Sequence, residues 1–85
     1  MKLQLKYFAS LREALGAGET LDWQPGAEAS AGALRAWLRE RSPAHAEALA
    51  PGRAVRIAVD QALVDEAAPL HEGAEVAFFP PVTGG

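Results

Sequence analysis

No cysteine occurs in the 85 residues. That removes disulfides, thiolate zinc sites and cysteine nucleophiles. Any sulfur chemistry therefore cannot run through a side-chain persulfide. Histidine is nearly absent as well: only His45 and His71 occur, far apart and without ligand-like neighbours. That spacing predicts two solvated surface residues and no metal site. Basic charge is sparse, with eight Lys and Arg against eleven Asp and Glu, for a net charge of −3. The basic residues are scattered, apart from a loose group between Arg35 and Arg41. Nucleic-acid binding asks for a dense basic footprint, so that class is disfavoured. No apolar run approaches the length of a membrane span, and no signal-peptide pattern opens the chain. These absences predict a soluble, cytoplasmic protein with neither a nucleic-acid nor a membrane partner.

What is present fits one small ordered domain. Hydrophobic residues make up 49% of the chain, enough for a single modest core spanning residues 1–85. Residues 2 to 8 alternate, with Leu3, Leu5 and Tyr7 on one side and Gln4, Lys6 and Phe8 on the other. Period-two alternation predicts a strand with one buried face. Ser10 and Glu13 have the spacing of a capping box, which predicts a short helix through Leu11 and Leu15 that stops at Gly16 or Gly18. Glu19 to Trp23 reads as a second strand, closed by Pro25-Gly26.

Ser30 is the next N-cap candidate. After it, Ala31, Leu34, Trp37 and Leu38 recur at helical spacing, with Arg35, Arg39 and Glu40 assigned to the polar face. This is the main amphipathic helix, and Ser42-Pro43 ends it. Ser42 with Pro43 then starts a further short turn of helix over 43–50. Val55, Ile57 and Val59 mark a third strand, Asp60-Gln61 a turn, and Leu63-Val64 a short returning strand. A turn at 70–73 leads into a last strand, Glu75 to Phe79. A long amphipathic helix must cover one face of a sheet for both to bury their apolar sides. The first and last strands carry the strongest apolar alternation, as central neighbours do. The fold class predicted is α+β: a β-grasp, ubiquitin-like fold with a mixed sheet under one main helix.

The chain ends Phe78-Phe79-Pro80-Pro81-Val82-Thr83-Gly84-Gly85. Two terminal glycines serve no fold, but a backbone without Cβ can approach another surface closely. The two prolines before them hold the chain extended. Pro80 to Gly85 span about 20 Å when extended, enough to enter a deep pocket. A hydrophobic strand, a stiff spacer and a slim terminus suit a chain whose own carboxylate is the reactive group. A frayed terminus is the plainer alternative, yet a frayed end is mixed and polar rather than aromatic, then Pro-Pro, then Gly-Gly.

This end closely resembles that of the small, sulfur-carrier subunits of molybdopterin synthase. The opening Tyr7-Phe8-Ala9-Ser10-Leu11-Arg12-Glu13 is similar to that family's aromatic-aromatic-Ala-x-x-Arg-Glu start. Val59-Asp60-Gln61 resembles its Val-Asn-x turn, and Pro69-Leu70-His71-Glu72-Gly73 its Pro-Leu-x-Asp/Glu-Gly turn. Two departures stand out. Asp60 replaces the usual Asn, and Ala74 stands where an acidic residue is common; each is expected to weaken a turn at most.

The resemblance implies a mechanism. A ubiquitin-activating-like adenylyltransferase uses ATP to adenylate the Gly85 carboxylate. A sulfur-donor enzyme then displaces AMP and leaves a C-terminal thiocarboxylate (1-thioglycine). The tail, Pro80, Pro81, Val82, Thr83 and Gly84, enters a pocket of the large synthase subunit. There the thiocarboxylate gives sulfur to precursor Z, cyclic pyranopterin monophosphate. The implied assembly is a heterotetramer of two small and two large subunits. The chain is then no enzyme by itself and binds no cofactor or metal. Phe8, Leu63 and Phe79 lie off the core parity of their strands, or start a short strand, and are expected to form the docking patch for these partners. Two rival readings remain: a sulfur carrier of another pathway, such as thiamine biosynthesis, and a ubiquitin-like modifier or interaction module without sulfur chemistry. The Phe-Phe-Pro-Pro segment and the helical turn at 43–50 speak against the first. The second requires conjugation to protein lysines, or binding that survives loss of the last glycine.

Overall fold

A computed structural model describes residues 1–81. The elements run β1 (Lys2–Tyr7), α1 (Ala9–Leu15), β2 (Gly18–Asp22), α2 (Ala31–Arg39), α3 (Pro43–Ala48), β3 (Arg56–Val59), β4 (Ala62–Val64) and β5 (Glu75–Phe79). Five strands form one mixed sheet in the order β2-β1-β5-β3-β4. The first and last strands are central neighbours and run parallel, with Leu5 opposite Val76 and Tyr7 opposite Phe78. All other pairings are antiparallel.

Alternation decides which side of the sheet is buried. Leu3, Leu5, Tyr7, Ile57, Val76 and Phe78 point to one face and are fully or almost fully buried. Tyr7 and Phe78 stack at a centroid distance of 5.8 Å, a cross-strand aromatic pair at the centre of the core. The helices cover this face with Leu11, Ala31, Leu34, Leu38, Ala48 and Leu49.

Two of the predicted caps form. Ser30 Oγ accepts from Ala33 N, and Ser42 Oγ accepts from His45 N with Pro43 in the first turn. Asp60 and Gln61 both take positive φ (50° and 71°), so the β3–β4 hairpin closes on a tight left-handed turn. Gly18 enters β2 at φ 148°, where a Cβ would lie 2.1 Å from the Leu5 carbonyl oxygen. Only glycine fits that close approach.

Several expectations are corrected. The capping box at Ser10 does not form: Phe8 is the N-cap and no side chain caps α1. The chain turns sharply at Ala9 (φ 52°), so the Phe8 carbonyl already accepts from Leu11 and Arg12 N–H. Ser10 thereby lies inside the first turn, where it cannot act as a cap. Trp37 is not a core residue. It is 38% exposed, and the inward stripe of α2 is Ala31, Leu34, Arg35 and Leu38. Arg35, assigned to the polar face, is 4% exposed. Its Nε donates to Leu49 O (2.9 Å), and Nη2 donates to Ala50 O (2.6 Å) and Arg53 O (3.1 Å). Its Nη1 donates to Glu66 Oε2 (2.8 Å). One guanidinium thus binds the loop after α3 to the main helix. Ala74, which stands where an acidic residue is common, is fully buried, and its N–H donates to His71 O at 3.1 Å, so the turn before it is closed.

Candidate functional site: the tail base and the open sheet face

The tail leaves the domain from the end of β5. Pro80 and Pro81 follow the strand directly, are half-buried and carry no regular structure. Proline cannot donate a ladder hydrogen bond, so β5 stops at Phe79. Val82, Thr83, Gly84 and Gly85, including the proposed reactive carboxylate, lie outside the described residues.

The sheet face opposite the helices is built by the same alternation that builds the core. Ala77 pairs with Lys6 on one side and Ala58 on the other, and Ala58 pairs with Leu63. The next row brings Arg56 opposite Phe79. Phe8 follows Tyr7 and donates its N–H to Phe78 O at 3.1 Å, which extends the β1–β5 ladder by one step. Phe8 and Phe79 therefore share one row beside the tail, and Leu63 lies in the adjacent row two strands away. The three residues picked from parity are placed on one face by the register. Phe8 is 46% exposed and Leu63 60%, whereas Phe79 is half-buried. The positive φ at Ala9 holds Phe8 on this face, because the chain turns away immediately after it. Around the apolar patch stand Lys6, paired with Glu75 at 3.2 Å, and Arg56.

This patch yields a prediction. Exposed aromatic clusters mark partner sites, and aromatics near an interface centre dominate affinity. For the two partners that the sequence resemblance implies, a large synthase subunit and an activating enzyme, Phe79→Ala is expected to weaken binding by more than ~1 kcal/mol. Folding is expected to survive, because the substitution removes an outer-face side chain and spares Phe78. Calorimetric titration against each partner reads the effect. Unchanged affinity for both, or an unfolded variant, would assign Phe79 to the core.

The other polar clusters lie elsewhere. On the helix side of β1 and β2, Arg41 bonds Glu19 (2.8 Å) and lies 5.6 Å from the Trp37 ring centroid. Burial, with Glu19 adding, pushes the Tyr7 phenol up to about 12. His45 is not the solvated residue expected. It is half-buried, with Nδ1 2.7 Å from Ser42 Oγ, and burial lowers its pKa. His71 is exposed but engaged, 2.6 Å from Asp60. Among the described residues, no group of three or more His, Asp or Glu is arranged to hold a metal ion. Among the described residues, no helix is long and apolar enough to cross a membrane.

Known proteins share this architecture and sequence. The ThiS family profile matches residues 5–85. The molybdopterin synthase sulfur carrier subunit of Escherichia coli is 42% identical over 85 residues, covering 98% of this chain and 99% of that protein. Among solved structures, the complex of subunits 1 and 2 of the molybdopterin-converting factor from Helicobacter pylori matches with TM-score 0.66. That match has 25% identity and full coverage of both chains. Small archaeal modifier protein 1 of Haloferax volcanii matches with TM-score 0.68 and 25% identity, over 95% of this chain and 98% of that one. These structures share the ubiquitin-like β-grasp architecture described above. The chain belongs to the ThiS family, in the company of the molybdopterin synthase sulfur carrier subunits.

Proposed function

We propose that this chain is the sulfur carrier subunit of a molybdopterin synthase and that its reactive group is the Gly85 carboxylate. The observation that carries the reading is the 42% identity to the Escherichia coli subunit over essentially the whole of both proteins. The chain's lack of cysteine supports it, since the terminus is then the one sensible place to hold sulfur. A carboxylate is a poor electrophile, so it must first gain a leaving group. A ubiquitin-activating-like partner supplies one: the carboxylate attacks the α-phosphorus of ATP and pyrophosphate departs. A sulfur donor of the sulfide class then attacks the acyl carbon and AMP departs, which leaves the thiocarboxylate. The tail delivers that sulfur to precursor Z in a pocket of the large subunit. The chain itself positions and presents the sulfur and holds no cofactor, and ATP belongs to the activating partner. The pairing of subunits 1 and 2 in the Helicobacter pylori complex supports a large-subunit partner, and the patch around Phe8, Phe79 and Leu63 is the surface proposed to meet it.

Reconstitution tests the reading. The thiocarboxylated chain with purified large subunit is expected to convert precursor Z to molybdopterin, and the carboxylate form is not. Equal conversion by both forms, or by neither, would contradict it. A second reading, conjugation to other proteins, is favoured by the likeness to the small archaeal modifier. It predicts lysine-linked adducts of this chain in cell extracts.

A further inference from the structure

We propose that Asp60 and His71 form a proton-dependent clasp that fastens the β3–β4 turn to the turn leading into β5, closed when His71 is an imidazolium and loosened when it is neutral. The observation is the pairing of acceptors around one ring. His71 Nε2 lies 2.6 Å from Asp60 Oδ2, and Nδ1 lies 2.9 Å from the Glu72 carbonyl oxygen. A carboxylate and a carbonyl only accept. A neutral imidazole has one N–H and can satisfy one of them, whereas the imidazolium donates to both. The geometry therefore suits the charged ring.

Asp60 is committed on its other side. Its Oδ1 accepts from Glu75 N at 3.0 Å, the first residue of β5. One carboxylate thus joins His71, the start of β5 and its own turn. That turn carries two non-glycine residues at positive φ, a conformation that surrounding contacts must hold. The strand it fastens runs on into Pro80 and the tail.

One carboxylate acts on the ring, and two more lie close to it in the chain. Asp60 approaches from the β3–β4 turn. Glu72, beside the ring in sequence, is itself engaged by Lys2 N–H at 3.0 Å and by the Met1 ammonium at 4.0 Å. Glu75, at the start of β5, is paired with Lys6. The Asp60 hydrogen bond, then the Glu72 carbonyl, hold the His71 pKa above the ordinary histidine value. Hydrogen bonds from Glu75 N, then from His71, hold the Asp60 pKa below the ordinary carboxylate value. The His71 contribution is fully present below the ordinary histidine value and is lost as pH rises through its raised pKa. The Asp60 contribution is present above the ordinary carboxylate value and is lost as pH falls through its depressed pKa. The clasp is closed between those limits.

Nuclear magnetic resonance tests this on the full chain. The His71 ring is expected to titrate above the ordinary histidine value in the wild type and clearly lower in Asp60→Asn, which retains a residue tolerant of positive φ. The hydrogen-exchange protection factor of the Glu75 amide, with intrinsic pH dependence removed, is expected to fall severalfold as pH rises through the His71 midpoint. In His71→Ala it is expected to be low and flat across the same range. A His71 midpoint unchanged by Asp60→Asn would overturn the clasp. So would Glu75 protection that ignores the titration in the wild type.

Discussion

A chain extended by one residue past Gly85, or shortened by that glycine, is expected to lose sulfur transfer while keeping its fold. Every core residue named above lies between Leu3 and Phe78, so neither change touches what holds the domain together. The chemistry is another matter. In the proposed mechanism the reacting carbonyl must meet a fixed point in a partner's pocket, and about 1 Å of misplacement can cost on the order of a hundredfold in rate. One residue of extended chain is about 3.3–3.6 Å, well past that tolerance. Gly84→Ala is expected to slow transfer too, because a Cβ would widen the chain that the proposed mechanism passes through a narrow channel. The assay is molybdopterin synthesis with purified large subunit, alongside circular dichroism. Normal turnover from the extended chain would remove the terminal carboxylate from the mechanism.

The second large effect belongs to Arg35. Its guanidinium meets three backbone carbonyls between Leu49 and Arg53 and the Glu66 carboxylate, at 4% exposure. Arg35→Ala strands the buried Leu49 carbonyl, takes one donor from the Ala50 and Arg53 carbonyls, and opens a gap under α2; Ala50 O keeps the Arg53 N–H at 2.9 Å. A hydrogen-bond acceptor stranded on burial costs roughly 1–3 kcal/mol, so the variant is expected to lose about that much. Natural stability is roughly 0.05–0.15 kcal/mol per residue, so a loss of that size is a large share for a domain this small. Lysine is not expected to rescue it, because a point ammonium cannot span a fork of separated carbonyls. Glu66→Gln is expected to cost under ~1 kcal/mol, since that carboxylate is mostly exposed. Urea unfolding measures all three. An Arg35→Ala chain within about 0.5 kcal/mol of wild type, the ordinary range for a surface change, would show the network to be decorative.

How far the sequence could be read depended on where a side chain's chemistry agreed with its spacing. β1 alternates without exception and β5 places Val76 and Phe78 on one parity, so both strands, their pairing and the two sides of Phe8 and Phe79 were legible. The Ser30 and Ser42 caps were legible for the same reason, each a polar N-cap ahead of a helical stretch. Arg35 was not, although its spacing held the answer. Ala31, Leu34, Arg35 and Leu38 form the true i, i+3, i+4, i+7 stripe, and Trp37 lies outside it. Hydrophobicity drew Trp37 inward and charge pushed Arg35 outward, while the helical stripe leaves Trp37 outside and carbonyls from the loop after α3 receive Arg35. The Ser10 cap failed because a positive φ at Ala9, which nothing local announces, started α1 two residues early. His71 lacked ligand-like neighbours in sequence but gained Asp60 from a separate turn, eleven residues away. At the functional end, the motif Pro80 to Gly85 was readable as composition. The patch around Phe8, Phe79 and Leu63 needed the strand register to become one surface.

The most direct test of the central claim is the intact mass of the chain after incubation with ATP, its activating enzyme and a sulfur donor. The mass is expected to rise by the difference between one sulfur and one oxygen, with the gain confined to the C-terminal peptide on fragmentation and absent when Gly85 is deleted. An unchanged mass under conditions that adenylate the terminus, or a sulfur gain located anywhere else in the chain, would contradict the assignment of Gly85 as the sulfur-carrying residue.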